Sequence, residues 1–225
     1  MKFTDTQTRL IPLLAASFLA ITLLLPRILY ASQLVHAHML WNLFLAWLPV
    51  ILAAFAWRHR HHRLRLGAFG PLWLLFLPNA PYLITDLIHL RPITPVPLWY
   101  DALLLFTFAF TGLVLGLSSL YQMQTLVSQR FGAAASCLFA CVVCGLSGLG
   151  VYIGRFLRWN SWDTFTQPAR LFNDISQSFL TPNLQLKALL IVLLFSAITG
   201  IAYSFFALHY SLPTLIPSGQ NAVNE

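Results

Sequence analysis

Asn79, Tyr82, Asp86 and His89 recur at i, i+3, i+7 and i+10. At about 100° per residue this spacing sets an amide, a phenol, a carboxyl and an imidazole on one helical face. Downstream come Asp101, in Trp99-Tyr100-Asp101, and Arg155 and Arg158, which lead through Trp159-Asn160-Ser161-Trp162 to Asp163. These residue types support two chemistries. Either Asp86 or Asp101 acts as a general base while Arg155 stabilises developing negative charge. Or the guanidinium forks of Arg155 and Arg158 hold an anionic group, which Asn79, Tyr82, Asp86 and Asp101 orient beside Asn160 and Asp163. The same charges could instead pair with one another as structural salt bridges, and His89 fits an interfacial position. No G-x-S-x-G, H-E-x-x-H or phosphate-loop signature accompanies them.

The elements that must position these groups are set by composition. Of 225 residues, 58% are hydrophobic and 8% charged, where a soluble domain carries roughly 25% charged residues. Mean hydropathy is +0.74. Disorder, collagen-like repeats and a small disulfide scaffold are excluded, and a soluble globule would lack a surface. A hydrocarbon core of roughly 30 Å takes about 20 apolar residues in a helix. Six stretches qualify: Leu10 to Tyr30, Met39 to Trp57, Leu66 to Leu87, Leu98 to Leu120, Gly132 to Gly154 and Leu184 to Leu208. Lipid forces each to satisfy its own backbone, so each is a helix. The expectation is an all-α polytopic transmembrane bundle of about six spans, forming one integral membrane domain over residues 1–225.

Lys2 and Arg9 before the first run resemble a signal-peptide start, but the run exceeds an h-region and no A-x-A site follows. It reads as a retained helix. Arg58, Arg60, Arg63 and Arg65, with His59, His61 and His62 between them, place the second loop in the cytoplasm. Both termini then also lie inside. Seven Lys/Arg fall inside and six outside (Arg27, Arg91, Arg155, Arg158, Arg170, Lys187), the latter accompanied by Asp86, Asp101, Asp163 and Asp174. The arginines between the histidines repel a metal ion, so the loop reads as headgroup-contacting. The net charge of +7 has the same source and implies no nucleic acid.

Six antiparallel helices bring Trp41-Asn42, the end of span three, the start of span four and the end of span five to one face. Pro78 and Pro81 remove helix donors to the carbonyls of Leu74 and Leu77. The result is either a satisfied kink or a break that opens a ligand site. Gly112-x-x-x-Gly116 marks close helix approach. Cys137, Cys141 and Cys144 form a packing stripe on one helical face and cannot by themselves enclose a metal. No metal site and no cofactor are expected. Pro168 can open a short amphipathic helix in the loop after span five, lying flat on the membrane or capping the bundle as a lid, with the flat placement favoured.

Four segments together resemble a bacterial family of multi-pass membrane proteins, domain of unknown function 1361. They are Trp41-Asn42-Leu43-Phe44-Leu45-Ala46-Trp47-Leu48-Pro49, Leu77-Pro78-Asn79-Ala80-Pro81-Tyr82 through Asp86-Leu87, Trp99-Tyr100-Asp101, and Gly154 through Asp163. The resemblance implies an integral membrane location and supplies no catalytic roles. The combined expectation is an inner-membrane protein with a polar pocket at its non-cytoplasmic face. That pocket binds or transports an anionic or lipid-linked small molecule, with membrane lipids as neighbours. The alternatives are a membrane enzyme acting on a lipid-linked substrate, or a non-catalytic assembly partner.

Overall fold

The computed structural model describes residues 3–31, 34–92 and 95–215. Among them every regular element is a helix: α1 Phe3–Ala31, α2 His38–Arg58, α3 Arg63–Phe76, α4 Asn79–Thr85, α5 Leu98–Arg155, α6 Asp163–Thr166, α7 Pro168–Leu180 and α8 Pro182–Leu215, with a 3-10 turn at Asp86–His89 after α4. All six apolar stretches read from the sequence fall on these helices. Five helical segments are long and apolar enough to cross a membrane: Leu10–Ala31, His38–Arg58, Arg63–His89, Leu98–Arg155 and Pro182–Tyr210. Lys2 and residues 216–225, which bear on the expected placement of the termini, lie outside the described residues.

The longest helix is two. At Gly132 the backbone takes φ 83° and ψ 176°, a region open to glycine and barred to side chains by the Cβ. The chain doubles back there. Leu120 of the first arm and Val143 of the second share one buried cluster with Trp73 of α3 and Tyr203 of α8. The first arm stays helical to Phe131, past the expected end at Leu120, although Gln122 and Gln124 end the apolar run. Gln124 is satisfied inside the bundle, donating to the Ser136 carbonyl at 3.2 Å and accepting from the Tyr203 hydroxyl.

α3 and α4 are one apolar stretch broken at its prolines. The carbonyls next to the break find side-chain donors: Asn79 Nδ2 at 2.9 Å from the Phe76 oxygen, and Ser161 Oγ at 3.5 Å from the Leu75 oxygen. The Leu77 carbonyl, expected to lose its partner, accepts from the Ala80 N–H at 3.1 Å. The broken helix is wedged between the two arms of α5. A Cβ on Gly112 would stand 2.5 Å from the Ala80 carbonyl oxygen, and one on Gly150 would overlap Pro78. Close approach therefore depends on glycine, as the small-residue spacing implied. The cysteine stripe packs only at one end, with Cys144 buried and Cys137 and Cys141 exposed.

A second core joins Leu24 of α1, Met39 and Leu43 of α2, Leu83 of α4, and Leu104 and Phe108 of α5. Outside it stand exposed Phe18, Phe44, Phe106, Leu193 and Phe205. Large apolar side chains on the exterior of long helices are compatible with a membrane location. α7 forms as a helix over the expected residues, tied to the chain before it by Trp159 Nε1, 3.1 Å from Asp174 Oδ2.

Candidate functional site

The polar residues expected at one end form two carboxylate centres and a cavity. The first centre is closed. Arg27, one residue after Pro26 in α1, reaches Asp101 in the opening turn of α5, with Nε 2.9 Å from Oδ1 and Nη2 3.1 Å from Oδ2. Each residue is 1% exposed. This two-point fork is the geometry that suits guanidinium to carboxylate. Tyr100 adds a hydrogen bond to the Leu23 carbonyl at 2.7 Å, one helical turn before Arg27. His36, in the turn before α2, approaches Asp101 Oδ2 to 3.9 Å through a backbone at φ 66°. Burial holds the His36 imidazole below its ordinary 6.5, against the opposing pull of Asp101.

The second centre is shared. Asp86 is fully buried, yet its partners come from several elements. Asn42 of α2 donates to Oδ2 at 2.9 Å, and Arg155 at the end of α5 donates to Oδ1 at 3.1 Å. Arg155 also reaches the Thr85 carbonyl at 3.1 Å, the Tyr82 hydroxyl at 3.3 Å and His89 Nε2 at 2.8 Å. Its guanidinium carbon lies 5.5 Å from the centre of the Tyr82 ring. His38 Nε2 stands 3.9 Å from Asp86 Oδ1, and its side chain is about half exposed, as is that of His89.

The cavity lies against the α3–α4 break, with a volume of about 240 Å³. Its apolar walls include Leu74, Leu146, Leu149 and Ile153. Asn42, Asn79, Tyr82, Asn160 and Ser161 bring polar groups, and Trp41, Trp159 and Trp162 bring indoles. No residue lining it carries a charge. Asn79 Nδ2 and Ser161 Oγ, 3.1 Å apart, tie the break to the chain after α5.

Asn79, Tyr82 and Asn160 line the cavity; Asp86 and Arg155 lie together beside it, joined through Asn42 and Tyr82. Asp101 belongs to the other centre. Asp163 fastens its own loop, accepting from the Asn160 backbone N–H at 2.7 Å and from its side chain at 3.2 Å. Arg158 is exposed at φ 60° and pairs with none of the described residues. Arg27, His36 and His38 were not among the expected residues, and Asn42 and Ser161 were read only as part of motifs. For Arg27 a signal existed: an ionisable group at the end of an apolar run is a site by default. For the histidines the signal was proximity to a span start, which many interfacial residues share.

A family model described as a protein of unknown function (DUF1361) matches residues 41–212. No curated protein and no solved structure matches the chain.

Proposed function

The chain belongs to the DUF1361 family, and we propose that it is a membrane-embedded protein that binds an amphipathic, lipid-linked small molecule in the cavity beside the α3–α4 break. The observation that carries this reading is the cavity's division into leucine and isoleucine walls and an uncharged rim of carboxamides, hydroxyls and indoles. Such lining suits a ligand with an apolar chain and a polar head, because each part meets its own kind of surface. The volume suits the head of such a molecule rather than a whole lipid.

Arg155 is already engaged by Asp86, which shifts the favoured head from anionic to uncharged; of the candidate arginines, Arg158 is the one without a partner among the described residues. The catalytic alternative rests on Asp86, one hydrogen bond from the cavity residue Asn42. Asp101 is sealed by Arg27 and gives it little support. Six spans, a bacterial inner membrane, cytoplasmic termini and a cavity on the opposite face belong to the same reading. The division of α5 at Gly132 supports the sixth span, and the basic run from Arg58 to Arg65 supports the orientation.

The test is quenching of the cavity tryptophans in the purified full chain by amphiphiles with brominated acyl chains, one series phosphate-headed and one glycosyl-headed. Saturable quenching is expected, tighter for the glycosyl series, and absent from a Leu149→Phe/Ile153→Phe double variant that elutes normally on gel filtration. Non-saturating quenching identical in both proteins would overturn the reading. In proteoliposomes, product formed without net flux would move it to the enzymatic alternative.

A further inference from the structure

His38 opens α2, and Asp86 and His89 begin and end the 3-10 turn that follows α4. One ligand atom from each lies within 4.8 Å of the other two. Two imidazoles and a carboxylate are the donors that divalent transition metals take, zinc above all, whereas magnesium and calcium prefer oxygen alone. Two histidines and one carboxylate also leave a fourth tetrahedral position open.

The hydrogen bonding around His89 and Asp86 suits a ligand set. Arg155 Nη2 lies 2.8 Å from His89 Nε2, and a guanidinium can only donate. In that contact His89 Nε2 is the acceptor, and it offers there the lone pair that a metal would take. Asp86 is oriented from behind by Asn42 on Oδ2, which leaves Oδ1 toward the histidines, the outer-partner arrangement that metal ligands commonly have. His38 makes no hydrogen bond to a described residue, and both rings are half exposed, so an ion can enter from water.

Arg155 now holds two of those three atoms, Asp86 Oδ1 and His89 Nε2. Metal–ligand bonds of about 2.0–2.2 Å require the ligand atoms to draw closer, which the exposed rings allow, and require the guanidinium to withdraw. Both terminal nitrogens have a second acceptor to fall back on: Tyr82 Oη for Nη1 and the Thr85 carbonyl for Nη2. We propose that His38, Asp86 and His89 form a binding site for a divalent transition metal of the zinc class, for which the ion competes with the Arg155 guanidinium. This goes beyond the amphiphile reading and does not depend on it.

The test uses the full untagged chain with His59, His61 and His62 replaced by alanine, so that the basic loop contributes no ligands. After incubation with Zn²⁺ and desalting, metal is counted per chain by mass spectrometry. A parallel sample with Co²⁺ is read for the visible absorption of a low-symmetry site. One ion per chain is expected. Retention should be lost in His38→Ala and in His89→Ala, whose half-exposed side chains leave the core untouched. Arg155→Gln should bind Zn²⁺ more tightly than its parent. No retained metal and no cobalt band, or retention unchanged in the His38→Ala/His89→Ala double variant, would overturn the site. Weaker binding in a folded Arg155→Gln would overturn the competition.

Discussion

Asp101 and Asp86 are both buried carboxylates at the same end of the bundle, and both meet an arginine, yet the two centres are built differently. Asp101 spends both oxygens on Arg27, in a pair closed to solvent, with Tyr100 fastening the same two helices. Asp86 divides its oxygens between Asn42 and Arg155, and two half-exposed histidines stand close by. A carboxylate saturated by one fork is a clasp between helices. A carboxylate shared among partners from different elements, beside half-exposed side chains and a cavity, is held by no single one of them. Equal burial therefore hides two different arrangements, told apart by the number of partners and the elements they come from.

The strongest way to break this comparison is to remove one half of the clasp. Arg27→Ala leaves a buried carboxylate with its principal counter-charge gone, and should cost about 3–5 kcal/mol, read as loss of folded, monodisperse protein. Arg27→Met/Asp101→Leu, which removes both charges, should restore most of that loss. Wild-type stability in Arg27→Ala would mean the pair clasps nothing. At the other centre Arg155→Gln should fold, at a loss of roughly 1–3 kcal/mol, because Asp86 keeps Asn42 and lies near water-accessible histidines. A double-mutant cycle on Arg155 and Asp86 should give a smaller coupling than one on Arg27 and Asp101. Equal couplings would erase the distinction.

Smaller changes sharpen it. Asn42→Ala removes a hydrogen bond to a charged group and should lower the thermal midpoint by an amount equivalent to about 1.5–3 kcal/mol. It should also loosen Asp86, seen as faster hydrogen exchange in the turn Asp86–His89. Tyr100→Phe deletes one neutral hydrogen bond to α1 and should cost about 0.5–1.5 kcal/mol, with exchange rising near Leu23 and unchanged at Asp86. A response at Asp86 would mean the two centres are one network.

Much of the scaffold was legible in the chain. The apolar lengths located the long helices, with the fifth stretch beginning at Gly132, where the structure reverses, and Pro78 and Pro81 marked a break. Pro168 opened α7, and the glycine spacing at Gly112 and Gly116 marked a close approach. Helix ends were read less well where polar side chains continue a helix inside the bundle, as Gln124 does. In the candidate site, Asn79, Tyr82, Asp86 and His89 shared a face by periodicity, and Arg155, read at the end of span five, does meet Tyr82, Asp86 and His89 in space. Asp101 shared their end of the bundle but not their centre. Its partner, 74 positions earlier, gave no local pattern.

The amino-acid order by itself determined an all-helical chain with a predominantly apolar exterior and polar groups gathered at one end. Those properties follow from residue type and spacing within single helices, where hydrophobic length and backbone satisfaction leave few alternatives. Tertiary structure alone decided which arginine each aspartate would take, and that His38 and Asn42 would stand over Asp86. It also decided that a cavity would lie against the proline break. Pairing of that kind depends on helix rotation and on approach distances of a few ångströms, set by packing at Gly112 and Gly150 and by the reversal at Gly132. Side chains far apart in the chain become partners only when those contacts have chosen one arrangement.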